Sequence, residues 1–381
     1  MYQFHDSINI LIKPTDDCNL RCTYCFHRKQ KYEKNIMPLT TLEHLYEIVF
    51  PHYKRIKMIW HGGEPTCAGA DFYKKAFAMQ TKYMNEFKVN VKNSMQTNGT
   101  LLSQELIDIF KENHVNIGIS YDGIINDHTR GSTNDVNLGR ILLQKNHMDA
   151  GIITVVNGLN INRLIENYEV MKKEKRHVQL NHYVETDPDH PNLELKLDLK
   201  TYIEKMWELF EYWIDDTYCN IELQPFTQMI REYLFKVPIV CDRTSCHRSW
   251  FSVNHSGKIS PCDKNFPDKY TFGYVSEYKD IREMYESPGF KNLLNDVIER
   301  REICMNTCEI YKYCEGGCTY NAMVENDIRT PGGFSCLARK DLFSKIFHFL
   351  EKKNLNKTNY AEKLKNPILI ETLQKDDKNQ K

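Results

Sequence analysis

The chain has 381 residues, 41% hydrophobic and 27% charged, which is room for a barrel-sized domain plus a second unit of ordinary globular composition. Its 51 Lys and Arg balance 51 Asp and Glu to a net charge of +0, so nothing in the charge argues for nucleic acid or anionic lipid as partner. No apolar run approaches the ~20 residues that span a bilayer, and Met1–Asp6 carries no cationic segment ahead of an apolar one. A cytoplasmic protein is therefore expected.

From residue 8 to about residue 185, short apolar or β-branched runs alternate with longer amphipathic stretches. Ile8–Ile12, Ile56–Trp60, Val89–Met95, Val115–Ser120, Gly151–Val156 and Val178–Tyr183 read as strands. Thr41–Tyr53, Asp71–Phe87, Ser103–Asn113, Asn137–Ala150 and Ile161–Lys175 read as the helices between them. This alternation predicts an α/β fold of parallel strands joined by right-handed crossovers, with functional residues at the strands' carboxyl ends. Residues 186–200, with Pro188 and Pro191, have a linker's composition, and Leu199–Thr217 is an aromatic-rich helix. From Cys241 to Cys336 the periodicity gives way to cysteines, which marks a second domain. A helix is expected from Leu337 to about Leu350. The Lys-, Asn- and Asp-rich tail to Lys381 is expected to fray, with Pro367–Ile370 docking.

Polar motifs follow the first four strands. Cys18, Cys22 and Cys25, spaced C-x3-C-x2-C on one loop, can converge on one metal centre. Zinc and iron–sulfur sites ordinarily take four protein ligands, so a cubane on three thiolates leaves one iron open for chemistry. A zinc knuckle completed by a distant His is the plainer alternative. The second strand runs into His61-Gly62-Gly63-Glu64-Pro65, where paired glycines permit close backbone approach and a carboxylate can accept from an ammonium group. Taken alone it reads equally well as a strand-to-helix turn. The third strand ends in Gln96-Thr97-Asn98-Gly99, and the fourth in Ser120-Tyr121-Asp122-Gly123 with Arg130 beyond. Such groups can bind hydroxyls or a carboxylate, although Asn-Gly and Asp-Gly are also turn chemistry.

The chain has 13 cysteines, an odd number, clustered and without an export signal, so metal ligation is favoured over disulfides. Beyond the first loop stand Cys241, Cys246 and Cys262, then Cys304-x3-Cys308-x5-Cys314-x3-Cys318-x17-Cys336. Eight cysteines suffice for two sites of four thiolates. By spacing alone, zinc and iron–sulfur are evenly matched. Cys67 and Cys219 are left over, most simply as small buried residues.

The three-cysteine loop followed by Gly-Gly-Glu-Pro on the next strand resembles the radical S-adenosylmethionine (SAM) superfamily. That resemblance implies a partial (β/α)6 barrel, a [4Fe–4S] cluster on Cys18, Cys22 and Cys25, and SAM bound at its open iron. It places the SAM amino group at Gly62, Gly63, Glu64 and Pro65, with strand-end contacts from Gln96 and Asn98. It makes Ser120 and Arg130 ribose or carboxylate contacts and lays Tyr24 against the adenine.

Beside such a core the later cysteines resemble a SPASM domain with two auxiliary [4Fe–4S] clusters, three clusters in all. One would use Cys241, Cys246, Cys262 and Cys318, the other Cys304, Cys308, Cys314 and Cys336. The family's C-x2-C is here Cys304-x3-Cys308, one residue longer. Expected domains are 1–235 (core, linker and bridging helix), 236–340 (SPASM) and 341–381 (helix and polar tail). Over its length the chain resembles anaerobic sulfatase-maturating enzymes, where an Asp after the cluster cysteine, here Asp263, is the proposed general base. His61 departs from that family's Gln and is frequent in peptide maturases.

The expected activity is therefore oxidative modification of a side chain in a peptide or protein, a thioether or carbon–carbon crosslink being preferred. Conversion of Cys or Ser to formylglycine is the alternative. The implied partners are that substrate and an external one-electron donor of the flavodoxin or ferredoxin type. A non-catalytic iron–sulfur electron carrier is the alternative from another class; it would not need the SAM motifs.

Overall fold

The computed structural model describes residues 6–27, 35–173, 177–187, 189–237, 241 and 244–380. Met1–His5 of the N-terminal stretch, Lys175 at the end of an expected helix, Pro188 of the expected linker and the terminal Lys381 lie outside the described residues. In chain order the elements are β1 (Ser7–Ile12), α1 (Leu39–Val49), β2 (Arg55–Trp60), α2 (Ala70–Phe87), β3 (Asn90–Thr97), α3 (Gln104–Glu112), β4 (Asn116–Ser120) and α4 (Thr133–Lys145). Then come β5 (Ala150–Val156), α5 (Leu164–Lys172), β6 (Val178–His182), α6 (Leu199–Ile214), β7 (Leu223–Gln224) and α7 (Phe226–Phe235). The cysteine-rich part adds β8 (Trp250–Val253), β9 (Lys258–Ser260), β10 (Gly273–Tyr274), α8 (Pro288–Thr307), α9 (Thr319–Glu325), α10 (Gly333–Lys352) and α11 (Pro367–Gln380). All six expected strands are present within about two residues of their expected ends, because each alternates or runs apolar against helices of 3.6 period.

The chain forms two compact units that interleave along the sequence. The first comprises Met1–Ser120, Arg130–Ala150 and Ser245–Asp296. Its strands lie in the order β10-β9-β8-β1-β2-β3-β4. β1 pairs in parallel with β2 and β8, setting Ile12 opposite both Trp60 and Val253. β2, β3 and β4 continue in parallel, Trp60 opposite Met95 and Thr97 opposite Ile119. The carboxyl ends of β1, β2, β3, β4 and β8 thus share one edge, and every motif of the first half leaves from it. Beneath that edge Trp60 is fully buried, with Phe72, Tyr73 and Phe77 packed edge-on at 5.5–6.3 Å and its indole N–H donating to Asn93 at 3.1 Å.

The second unit comprises Tyr121–Thr129, Gly151–Thr244 and Val297–Lys381. Its strands run β5-β6-β7, all parallel, with Val156 opposite His182 and Val178 opposite Leu223. α6 starts on an N-cap, Asp198 accepting from Thr201 N–H at 2.8 Å, and buries Tyr202, Met206, Leu209, Phe210 and Trp213. Phe349 of α10 packs edge-on against Trp207 and Phe210.

The tail does not fray. α11 buries Leu369 and Leu373 completely, and Asp376 takes a two-pronged pair from Arg231 at 2.6 and 2.8 Å. Ahead of it, the Asn366 amide donates to the Trp213 carbonyl at 2.8 Å. Paired charges and caps compensate for the tail's low apolar content.

Candidate active site

The first site loop is zipped to the second by backbone bonds. His61 N–H donates to Ile12 O, Gly63 N–H to Thr15 O and Glu64 N–H to Asp17 O, at 2.7 to 3.1 Å. The glycines make this approach possible. A β-carbon on Gly62, whose φ is +117°, would meet Thr15 O at 2.5 Å, and one on Gly63 would meet Asp17 O at 2.2 Å. Both glycines are therefore required by the protein's own cysteine loop, whatever they do for a ligand.

Glu64 is 1% exposed. Its Oε1 accepts from Thr66 N–H at 3.1 Å and from the hydroxyls of Thr66 and Thr97, both at 2.6 Å; its Oε2 accepts from Asn98 N–H at 2.7 Å. Burial raises the carboxyl above its ordinary range, and these donors work against that rise. Oε2 keeps one acceptor position for a ligand cation. Thr97 is the residue that motif reading passed over. It sits between Gln96 and Asn98 on the face that alternation turns inward, which is the signal that could have found it.

The end of β3 also holds the cysteine loop. The Asn98 side chain donates to Asn19 Oδ1 at 2.9 Å, and Asn19 donates to Thr100 Oγ1 at 2.8 Å. Gln96 and Ser120 face each other, the amide donating to the hydroxyl at 2.8 Å. The Arg130 guanidinium lies 5.1 Å from the centre of the Tyr24 ring and 4.0 Å from Cys22 Sγ. Tyr24, Arg130 and Cys22 are thus brought together. Asp122, in the Asp-Gly turn, is fully buried and accepts from Val155 N–H and Thr129 Oγ1, a structural role.

Within the loop, Cys18 Sγ accepts from Leu20 N–H at 3.4 Å. Burial, with help from Glu64, Cys22 and Cys25, pushes the Cys18 thiol up to about 12. A Cys18 thiol raised in this way resists becoming a bare thiolate, and an iron cluster supplies the positive charge that reverses this. The donor set therefore fits a three-thiolate cluster. Among the described residues no three His, Cys, Asp or Glu side chains stand at single-ion spacing.

β8 and β9 form an antiparallel hairpin, and the chain that leaves β9 carries Cys262 and Asp263. Asn265 Nδ2 donates to Phe26 O at 2.5 Å and Lys264 Nζ lies 3.8 Å over the Phe26 ring, fixing this turn beside Cys25. Asp263 Oδ2 lies 3.8 Å from His61 Nδ1. Burial would raise Asp263, but Lys264, His61, His27 and Lys13 outweigh it and hold the carboxyl below its ordinary range. Burial likewise lowers His61, against the pull of Asp263. The carboxylate thus keeps its charge among the Lys264 and Lys13 ammonium groups. Asp16, missed by the sequence reading, has its Oδ2 3.0 Å from His255 Nδ1 and so ties the hairpin to the cysteine loop.

Of the remaining cysteines, Cys246 and Cys262 fall in the first unit and Cys241 and Cys318 in the second. Cys304, Cys308, Cys314 and Cys336 all fall in the second. Burial, then Cys336, Cys314 and Cys308, push the Cys304 thiol up to about 11, so these three lie within electrostatic reach of Cys304. The longer Cys304-x3-Cys308 spacing is absorbed by helix geometry: Cys308 N–H donates to Cys304 O at 2.9 Å, one turn apart on one face. α10 begins at Gly333, earlier than expected, so Cys336 lies in its first turn. Cys219 is buried and accepts from the Tyr168 hydroxyl, in keeping with a core residue, while Cys67 follows the Gly-Gly turn, half-buried.

A model described as the radical SAM superfamily matches residues 12–171, and one described as an iron-sulfur cluster-binding domain, SPASM, matches 241–315. The chain thus carries a radical SAM domain and a SPASM domain; its fold is the expected α/β core, and [4Fe–4S] clusters and SAM are its cofactors. Among its relatives, the cysteine-type anaerobic sulfatase-maturating enzyme of Clostridium novyi (strain NT) is 29% identical over 378 residues, 94% of this chain and 98% of that one. The solved structure of native anSMEcpe with bound AdoMet and Cp18Cys peptide is 25% identical, covers 91% of this chain and 98% of its own, and superposes with a TM-score of 0.80. Streptococcus suis SuiB bound to precursor peptide SuiA, 17% identical, shares the fold at a TM-score of 0.62 over 87% of this chain and 76% of its own. Among the described residues no helix is long and apolar enough to cross a membrane.

Proposed function

We propose that this chain is an anaerobic maturase that oxidises a cysteine or serine side chain of a sulfatase-type protein to formylglycine. The observation that carries this reading is the likeness, over 94% of the chain, to a cysteine-type sulfatase-maturating enzyme. It supports formylglycine formation above the crosslinking preferred from His61 and the Cys304–Cys308 spacing.

The SAM-binding cluster supplies, when bound, a 5′-deoxyadenosyl radical through one-electron reduction and cleavage of SAM, the electron coming from a flavodoxin- or ferredoxin-type donor. Cys18, Cys22 and Cys25 would hold that cluster. Gly62, Gly63, Glu64 and Pro65, with Gln96, Asn98 and Ser120, would orient the amino and ribose groups. Tyr24 and Arg130 would hold the adenine and carboxylate. Asp263 would accept the substrate's thiol proton, for which its ionised state and burial suit it. Cys304, Cys308, Cys314 and Cys336 would hold an auxiliary cluster that takes the second electron. One hydrogen atom from Cβ, one proton from sulfur and one electron amount to a two-electron oxidation to a thioaldehyde; water then replaces the sulfur, releasing hydrogen sulfide.

The test is anaerobic incubation of the reconstituted protein with SAM, a reductant and a peptide containing Cys-x-Pro-x-Arg, read by mass spectrometry. Replacement of sulfur by oxygen supports the reading. Loss of two hydrogens with sulfur retained means a crosslinking maturase, and intact clusters without 5′-deoxyadenosine mean an electron carrier.

A further inference from the structure

Within the second unit, three side chains converge on the hydroxyl of Ser335. It donates to Glu325 Oε1, accepts from Asn321 Nδ2 at 2.9 Å, and lies 2.6 Å from His182 Nε2. A serine hydroxyl has one proton, and Glu325 receives it, so the proton between Oγ and the imidazole belongs to His182 Nε2. A serine to which the histidine donates is not an activated nucleophile, since that arrangement needs the imidazole to accept the hydroxyl proton. What the cluster holds is backbone. Ser335 is the third residue of α10, and its N–H, one of the four that a helix cannot satisfy internally, donates to Glu325 Oε2 at 2.7 Å. Gly332, at the N-cap, has no side chain for this; the carboxylate at the end of α9 caps α10 in its place, with the helix dipole in its favour. Gly333, at φ +76°, leaves room for it: a β-carbon there would lie 2.8 Å from Glu325 Cβ and 2.9 Å from Oε2. His182 is the last residue of β6, and its ring packs against Phe334 at 5.4 Å and Tyr202 at 5.9 Å. The His182 and Glu325 side chains are 19% and 10% exposed, so water competes little for these bonds.

We propose that Ser335 is a positioning residue of the auxiliary iron–sulfur site: held by Glu325, Asn321 and His182, it fixes the first turn of α10, and with it the adjoining Cys336, against α9 and the end of β6. The inference rests on the assignment of Cys336 as a cluster ligand proposed above. A cluster needs its sulfurs held in place, and groups behind the ligands do that holding. Cys336 has the covalent neighbour on which three elements of the unit meet. α9, which supplies Asn321 and Glu325, itself starts from Cys318 at its N-cap, so the same bonds tie together the helices that follow two of the cysteines.

The experiment uses the full chain, reconstituted anaerobically, as wild type, Cys336→Ala, Ser335→Ala, Ser335→Thr, His182→Phe and Leu369→Ala. It reads iron content, the EPR spectrum of the reduced clusters, the rate of iron loss to a chelator, and thermal unfolding. Cys336→Ala should alter the iron content or the EPR spectrum; if neither changes, the ligand assignment falls, independently of Ser335. Ser335→Ala should release the iron of one cluster about tenfold faster, the usual cost of losing a group that orients a metal ligand. It should also alter the EPR signal that Cys336→Ala alters. Ser335→Thr restores the hydroxyl and should return both readings to wild type. Leu369→Ala opens a cavity in α11, which none of these bonds touches, and should melt lower with wild-type EPR and iron release. Release from Ser335→Ala no faster than from Leu369→Ala at an equal loss of melting temperature overturns the positioning role. His182→Phe keeps a ring against Tyr202 and Phe334 and loses only the donor. It should release iron a few-fold faster, and wild-type release there overturns the hold from β6. If Ser335→Ala fails to fold, the comparison of His182→Phe with Leu369→Ala decides.

Discussion

Gly63 stands so close to Asp17 that a β-carbon on it would lie 2.2 Å from the Asp17 carbonyl oxygen, with Asp16 O at 2.5 Å. The obstacle is backbone, which cannot swing aside. Gly63→Ala must therefore push the Gly-Gly turn away from the cysteine loop and break the Glu64 N–H to Asp17 O bond. A loss of roughly 3 kcal/mol is expected, the upper range for overpacking. Iron bound per chain should fall with it, because Cys18 follows Asp17 directly. Thermal unfolding and iron analysis check this, and a variant with wild-type melting and iron would refute the packing argument.

Glu64→Gln is nearly isosteric, yet it should be costly. Two of the four donors to Glu64, Thr66 N–H and Asn98 N–H, are backbone groups on opposite oxygens. Either amide orientation sets an NH2 against one of them, while the threonine hydroxyls can turn. The neutral amide escapes the burial cost of a charge, but one fixed donor is stranded, at about 1–3 kcal/mol. The expected outcome is lower thermal stability even without SAM. Equal stability with weakened SAM binding would assign Glu64 to the ligand alone.

The strands and the loops after them were legible because apolar runs of period 2 and 3.6 alternate cleanly, and because Cys18, Cys22, Cys25 and Gly62–Pro65 are local in sequence. What was not legible depends on partners far along the chain. Asp16 meets His255 only once β8 lies beside β1. Arg300 reads as one more charge on a polar helix until Gly316, Thr319 and Ile328 close over it. Leu369 and Leu373 are two leucines in a charged tail, and only Arg231 and Trp213, both more than a hundred residues earlier, show why that tail is held.

Asp216 supplies a pH dependence separate from the site. Burial would raise its carboxyl, but the Lys172 ammonium at 2.6 Å and the Tyr168 hydroxyl at 2.7 Å bring it below its ordinary value. A depressed folded-state pKa contributes stability that is present above the unfolded value, about 3.9, and lost as pH falls through the folded one. Asp216→Asn should thus cost about 2 kcal/mol at pH 7. Denaturant unfolding should show the gap between variant and parent narrowing below pH 4. A gap that stays constant to pH 3 would mean the ionic form contributes nothing.

Asp263→Asn separates radical generation from substrate oxidation. The SAM contacts proposed here lie on the cysteine loop, at or just after the ends of β2, β3 and β4, and at Arg130, so formation of 5′-deoxyadenosine should persist. What is lost is a carboxylate beside His61 Nδ1 at 3.8 Å that can take a proton as the substrate is oxidised. Product should fall about 10²-fold or more relative to deoxyadenosine, the usual size of a general-base contribution. His61→Gln, which restores the residue expected of sulfatase-maturating enzymes, leaves the carboxylate in place and should lower product only a few-fold. The ratio of product to 5′-deoxyadenosine is the measurement. If both fall together in Asp263→Asn, the carboxylate acts before the radical forms, as part of the loop that Asn265 and Lys264 fix against Phe26, and not as the base.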